Sequence, residues 1–247
     1  MITPFIGHSL QHFASINSTN MYAMEVIRAG LAVHGQVFTA DWQTEGRGQR
    51  GRSWHSEPGK NLQMSVLLQC SKLATSQRFA LSVAVSLALL DAIYQTTQMQ
   101  FAVKWPNDIY YNDRKAGGIL IENAMQGNTW QWAVVGMGLN VNQTRFEAHL
   151  PNATSLQLVA GKQYPLKELV DTLCFCLERR WRQLHQGGAA RQITLYNQHL
   201  YAQGQQRRLR TSNAVTNHHI YGVNAHGQLQ CGLHGEYLFD YGEVEWV

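Results

Sequence analysis

The chain has 247 residues, 45% of them hydrophobic and only 15% charged, with a formal net charge of +4. That is enough apolar material for one good-sized domain plus a small one, and too little charge for a disordered chain. The modest positive excess suits a nucleotide or an acidic protein partner and falls short of implying a nucleic-acid binder.

Residues 1–14 mix His8, Gln11 and His12 with apolar residues and lack the basic start and long apolar run of a targeting signal. Ser18-Thr19-Asn20 has N-cap chemistry and predicts a helix over residues 19–29. Residues 36–42 read as a strand. It runs into Gly46-Arg47-Gly48-Gln49-Arg50-Gly51-Arg52-Ser53-Trp54, which holds three arginines and three glycines. Glycine permits tight turns at a cost in entropy, and guanidinium groups fork onto phosphate and carboxylate oxygens. Such a segment reads either as a solvated basic turn or as a loop that orders over an anion.

Residues 62–69 read as a strand and 77–94 as a long, largely buried helix. Its most apolar stretch, 79–90, contains Ser82 and Ser86, meets Asp91 and is too short to span a bilayer. Strands are expected at 101–105, 109–111, 117–122 and 131–141. Pro106 cannot donate to a ladder and interrupts the first pair. Asn112-Asp113 is turn chemistry, so Arg114 and Lys115 follow a hairpin turn. Gly117-Gly118 lets the backbone approach something closely. Lys115 beside it reads as a cation aimed into a pocket or as a surface lysine after a hairpin.

Leu166, Leu169, Val170, Leu173, Leu177, Trp181 and Leu184 recur at helical spacing, giving an amphipathic helix over 165–186. Cys174 and Cys176 fall within it as core filling, and reduced thiols with no structural metal are expected. Beyond about residue 200, Gly204, Asn213, Asn224, Gly227, Gly235 and Gly242 punctuate short strands, the pattern of a small all-β unit. His218-His219 reads as a surface turn there. Periodicity alone therefore supports α+β followed by β.

Five ordered segments resemble the biotin protein ligases over about residues 15–160. They are Ser18-Thr19-Asn20, the Gly/Arg loop, Lys104-Trp105-Pro106-Asn107-Asp108, Lys115-Ala116-Gly117-Gly118-Ile119-Leu120 and Gly136-Met137-Gly138-Leu139-Asn140. The resemblance implies a mixed β-sheet flanked by helices, like that of class II aminoacyl-tRNA synthetases, over residues 1–198. It implies a small SH3-like β domain over 199–247. The activity implied is ATP-dependent formation of biotinyl-5'-AMP, then transfer of biotin to a lysine of a biotin carboxyl carrier protein.

In the resembling family, Lys115, Arg47 and Arg52 match the catalytic cations. Ser18, Thr19, Asn20, Gln43, Arg47, Gly48, Gln49, Lys115, Gly118, Gly136 and Gly138 match biotin-contacting positions. The backbone at Gly118, Gly136 and Gly138 is expected to let the biotin ring come close. Arg47, Arg52, Trp54, Asn107, Lys115 and Asn140 match nucleotide-contacting positions, with Arg50 expected to face solvent. Mg²⁺ is expected on the ATP phosphates, with Asp108 or Glu122 as candidate helpers and no metal site of the protein's own. Many members carry arginine where this chain has Gln49. Ser18-Thr19-Asn20 comes too early to leave room for the DNA-binding domain of some members, so no specific DNA binding is expected. No membrane association and a cytoplasmic location are expected, and self-association as a homodimer stays open. Two alternatives are a lipoate or octanoate ligase or transferase of the same fold and a non-catalytic biotin-binding module. No Arg-Arg-x-x-Gly-Gly-Gly segment of the lipoate type is present.

Overall fold

The computed structural model describes residues 6–212 and 214–247, so the turn expected at Asn213 lies outside the described residues. Seven strands form the main sheet: β1 (Leu10–Phe13), β2 (Val37–Ala40), β3 (Leu62–Gln69), β4 (Ala102–Lys104), β5 (Asp108–Tyr111), β6 (Arg114–Gln126) and β7 (Thr129–Leu139). Their order is β1-β2-β3-β7-β6-β5-β4. Only β1 and β2 run parallel, so the sheet is mixed. β1 and the helix over Ala189–Gln198 are not among the elements read from the sequence.

Strand parity divides the sheet into two faces. Leu62, Met64, Val66 and Leu68 of β3, with Ala133, Val135, Met137 and Leu139 of β7, belong to the large hydrophobic core. Against that face pack α2 (Arg78–Thr97), the short α3 (Leu156–Ala160), α4 (Leu166–His185) and α5 (Ala189–Gln198). The opposite parity carries Leu67 and Val134, which join Ala23 and Phe38 in a small cluster under α1 (Thr19–Arg28). That same parity carries Gln63, Ser65, Gly136 and Gly138, so the half of this face not covered by α1 is polar or bare.

The apolar run 79–90 is only the middle of a longer element. Thr75–Thr97 is long and apolar enough to cross a membrane by length and composition, yet 67% of its most apolar stretch is buried inside the fold. It serves as the central core helix. All four cysteines are free and buried. Burial pushes the Cys70 and Cys174 thiols up to about 12 and those of Cys176 and Cys231 to about 11.

The C-terminal part is a second, antiparallel sheet of β8 (Gln206–Arg210), β9 (Val215–Val223), β10 (Leu229–Cys231), β11 (Tyr237–Phe239) and β12 (Glu245–Trp246), in the order β11-β10-β9-β8-β12. His218 and His219 lie within β9 and not in a turn, with the His218 ring edge-on to Tyr237 and Phe239. Leu209, Ile220, Val223 and Leu229 join the main hydrophobic core. The second sheet is thereby fixed against the first.

Candidate active site

A cavity of about 1300 Å³ opens on the polar half of the main sheet. Every residue proposed above for biotin or nucleotide lines it. Their contacts separate into a polar floor, an arginine hairpin and a lysine on a bulged strand.

The floor begins at α1. Ser18 occupies the N-cap position but makes no side-chain capping bond, so plain capping does not account for the triplet. The Thr19 backbone N–H donates to Gln43 Oε1 at 2.7 Å, and Gln43 Nε2 donates to Gln63 Oε1 at 3.0 Å. Ser65 Oγ lies 2.7 Å from Thr19 Oγ1 and 2.6 Å from Asn20 Oδ1. Asn20 Nδ2 donates to Glu122 Oε2 at 2.8 Å. Buried polar groups must be paired, and this network fixes the rotamers of the whole row.

Two of the glycines prove to serve the protein's own side chains. A Cβ on Gly136 would stand 2.3 Å from Asn20 Oδ1, and one on Gly138 would stand 2.6 Å from Trp54 Cε2. The Asn20 amide and the Trp54 indole occupy the space directly over Gly136 and Gly138, and both glycines line the cavity. Gly118 is different: the nearest atoms to its Cβ position are Asp108 Oδ1 at 3.4 Å and the end of Lys115 at 3.6 Å.

Residues 46–54 form a closed hairpin. Trp54 N–H donates to Gly46 O at 2.8 Å and Gly48 N–H to Arg52 O at 2.7 Å, around a 3-10 turn at Gln49–Gly51. Arg47 and Arg52 line the cavity and form no ion pair with an acidic side chain among the described residues. Gln49 Nε2 approaches Ile119 O at 3.4 Å, the same carbonyl that accepts from Asn107 Nδ2 at 2.7 Å. Gln49 Oε1 and Trp54 Nε1 are buried with no hydrogen-bond partner among the described residues. Arg50 is exposed, as expected, and it also has a partner. Its guanidinium lies 4.5 Å from the Tyr241 ring centre and donates to Tyr241 O at 3.1 Å.

Lys115 reaches the cleft because of a bulge. Asp108 pairs with Gly118 and Ile109 with Gly117, but Tyr110 pairs with Lys115, so the register slips between Ile109 and Tyr110. Without that slip, parity would put Lys115 on the face opposite Gly118. With it, Lys115 shares the face of Asp108 and Tyr110, and its Nζ sits 2.6 Å from Asp108 Oδ1. Its backbone is held by residues 152–154, through Lys115 N–H to Asn152 O and Thr154 N–H to Lys115 O. Asn140 supports the same segment by donating Nδ2 to Thr154 O at 3.0 Å.

Several lining residues carried no sequence signal. Leu238, Phe239, Tyr241 and Trp246 bring the C-terminal unit over one side of the cavity. Lys104 Nζ lies 4.6 Å from the Tyr110 ring centre and 5.3 Å from that of Trp246. Desolvation by burial is the main cause that lowers its pKa, opposed by the charge of Asp108. Its place in the Lys-Trp-Pro-Asn-Asp box was the one available hint. Ser65 and Gln63 sit inside an ordinary strand pattern, where only their parity against Leu67 marks them.

A mixed sheet with its core helices on one face, α1 beside a cation-rimmed polar cleft on the other, and a small β unit closing that cleft, defines a protein of the biotin-ligase fold. The biotin protein ligase of Aquifex aeolicus, solved in complex with biotin and ATP, superposes with a TM-score of 0.82 at 23% identity, over 97% of this chain and 98% of that one. The Biotin/lipoate A/B protein ligase family matches residues 12–140, and the chain belongs to that family. The bifunctional ligase/repressor BirA of Bacillus subtilis is 30% identical over 230 residues, 92% of this chain and 70% of that protein. The biotin--[acetyl-CoA-carboxylase] ligase of Paracoccus denitrificans is 34% identical over 184 residues, 72% of this chain and 75% of that one.

Proposed function

We propose that this protein is an ATP-dependent biotin protein ligase. It joins biotin to ATP as biotinyl-5'-AMP with release of pyrophosphate, and passes the biotinyl group to a lysine of a biotin carboxyl carrier protein. The observation that carries the reading is the convergence of Lys115, Arg47 and Arg52 on one cavity whose floor is a neutral hydrogen-bonding row. Biotin is an anion with an uncharged polar ring, and that division of charge matches it.

The first step brings two anions together, the biotin carboxylate and the α-phosphate of ATP. Their repulsion is a large part of the barrier, and cations fixed where the oxygens meet lower it without reorganising. Lys115 takes that position, held by Asp108. Arg47 and Arg52 supply further charge from the hairpin, while Trp54, Asn107 and Asn140 border the nucleotide side. Ser18, Thr19, Asn20 and Gln43 orient the ureido ring, with Gly48 and Gln49 on the hairpin side and Gly118 leaving room beside Lys115. In the second step the acceptor lysine's amine attacks the acyl carbon, the acyl–phosphate bond breaks and AMP leaves.

Mg²⁺ comes with ATP and is part of that substrate. Among the described residues no group of three or more His, Cys, Asp or Glu side chains could hold a metal. Asp108 is engaged by Lys115 and Glu122 by Asn20, so the phosphate oxygens are the natural ligands. We take residues 1–198 as the catalytic unit and 199–247 as the small β unit, and place the enzyme in the cytoplasm with the carrier.

The test is incubation with biotin, MgATP and a carrier domain, followed by intact-mass measurement. The expected result is one biotinyl addition on the carrier and biotin-dependent pyrophosphate release. Release of pyrophosphate with lipoate but not biotin would overturn the assignment.

A further inference from the structure

The arginine hairpin and the C-terminal unit meet where Arg50 reaches Tyr241, and both residues line the cavity that holds Lys115. Arg50 is left-handed, with φ 54° and ψ 42°, in the 3-10 turn at Gln49–Gly51. That conformation is uncommon for a residue other than glycine and turns the guanidinium outward onto the segment after β11. There it lies over the Tyr241 ring at 4.5 Å and donates to the Tyr241 carbonyl at 3.1 Å. The next residue is Gly242, at φ 96°, and a Cβ on it would stand 1.2 Å from Arg50 Nη2. Only a glycine leaves the groove that the guanidinium occupies.

The contact continues into the catalytic box. The Tyr241 ring meets the Trp105 ring edge-on at 6.3 Å. Trp105 is buried, its Nε1 donates to Gly227 O at 2.9 Å, and its carbonyl accepts from Trp246 Nε1 at 3.2 Å. Tyr241 is thus braced from behind by the residue that leads into Pro106-Asn107-Asp108. The hairpin tip, the C-terminal turn and the Trp-Pro-Asn-Asp segment form one connected set.

We infer that Arg50 is a positioning residue, a latch by which the C-terminal unit holds the arginine hairpin over the cavity. It touches neither the reacting carboxylate nor the phosphate. Its effect on the reaction, which rests on the ligase reading above, is to keep Arg47 and Arg52 in place and to slow escape of the adenylate. The latch couples hairpin opening to loosening of residues 240–243.

Hydrogen exchange on the intact chain without ligands reads the latch directly. Arg50→Ala is expected to speed exchange in residues 46–54 and in 240–243 together. Tyr241→Phe, which keeps the ring and the carbonyl, is expected to retain protection, and Arg50→Lys to retain part of it. With pre-formed biotinyl-adenylate, Arg50→Ala is expected to raise the dissociation rate roughly fivefold, the size fitting loss of an exposed cation–π contact plus a charge-assisted hydrogen bond. Tyr241→Ala should raise it less and add nothing in the Arg50→Ala background. Unchanged exchange in 240–243 on Arg50→Ala, or additive effects of the two substitutions, overturns the latch. Failure of the wild type to release pyrophosphate from biotin and ATP would instead remove the ligase reading, and the ligand-free exchange would still decide the latch.

Discussion

Lys115 Nζ lies 2.6 Å from Asp108 Oδ1, between two strands whose register slips by one residue just before they meet. The carboxylate holds the amine in the cavity before any substrate arrives. A lysine that must stabilise charge developing between two anions gains from being aimed in advance.

Lys115→Gln keeps a polar, slightly shorter side chain and removes the charge. We expect biotinyl-adenylate formation to fall about 100- to 1000-fold, the cost of one preorganised electrostatic group, with thermal stability close to wild type. Single-turnover pyrophosphate release measures it. A near-wild-type rate would remove Lys115 from the chemistry.

The hairpin at residues 46–54 is closed by few backbone bonds and presents Arg47 and Arg52 without acidic partners among the described residues. Like charges held close need a counter-anion. Amides across 46–54 should therefore gain protection from exchange when biotin and ATP bind, beyond the level of the ligand-free protein. Identical protection in the two states would mark a preformed structural turn.

Gly138 and Gly136 are predicted to be intolerant of even one methyl. Gly138→Ala should force the Trp54 indole away, since no Cβ fits 2.6 Å from the ring. Overpacking of this kind costs about 1–3 kcal/mol, a fall in Tm of roughly 2–4 °C per kcal/mol for a chain of this size. In calorimetry, Gly138→Ala combined with Trp54→Ala should cost less than the sum of the single changes. Strict additivity would mean the two do not share the space.

Gln49 faces the Ile119 carbonyl with its Oε1 buried and unpaired. In Gln49→Arg an added cation would stand at the hairpin side of the cavity. We expect dissociation of pre-formed biotinyl-adenylate to slow by roughly tenfold, equivalent to about 1–2 kcal/mol for a charge-assisted hydrogen bond, with little change in its rate of formation. An off-rate that stays the same or rises would show that the arginine cannot reach the acyl-phosphate.

The sequence by itself determined the local elements and the inventory of chemistry. The strand at 62–69 matches β3 residue for residue, because alternation of Leu62, Met64 and Val66 with Gln63 and Ser65 is a local property of a pleated chain. The helix at 165–186 matches α4 within a residue at each end for the same kind of reason. The three arginines, Lys115 and its glycines could be read as an anion-handling set, since residue type fixes charge and flexibility. Tertiary structure decided where those groups point. The bulge that swings Lys115 onto the face of Asp108 depends on how β6 pairs with a separate strand, and no feature of residues 114–118 alone specifies it. Arg50 reads as solvent-facing and is exposed, but its contact with Tyr241 exists because a turn far along the chain folds back beside it. Gly136 and Gly138 announce a close approach but not its partner. Asn20 and Trp54 fill that space because α1 and the hairpin pack over the sheet, a matter of long-range contact that short-range patterns do not encode.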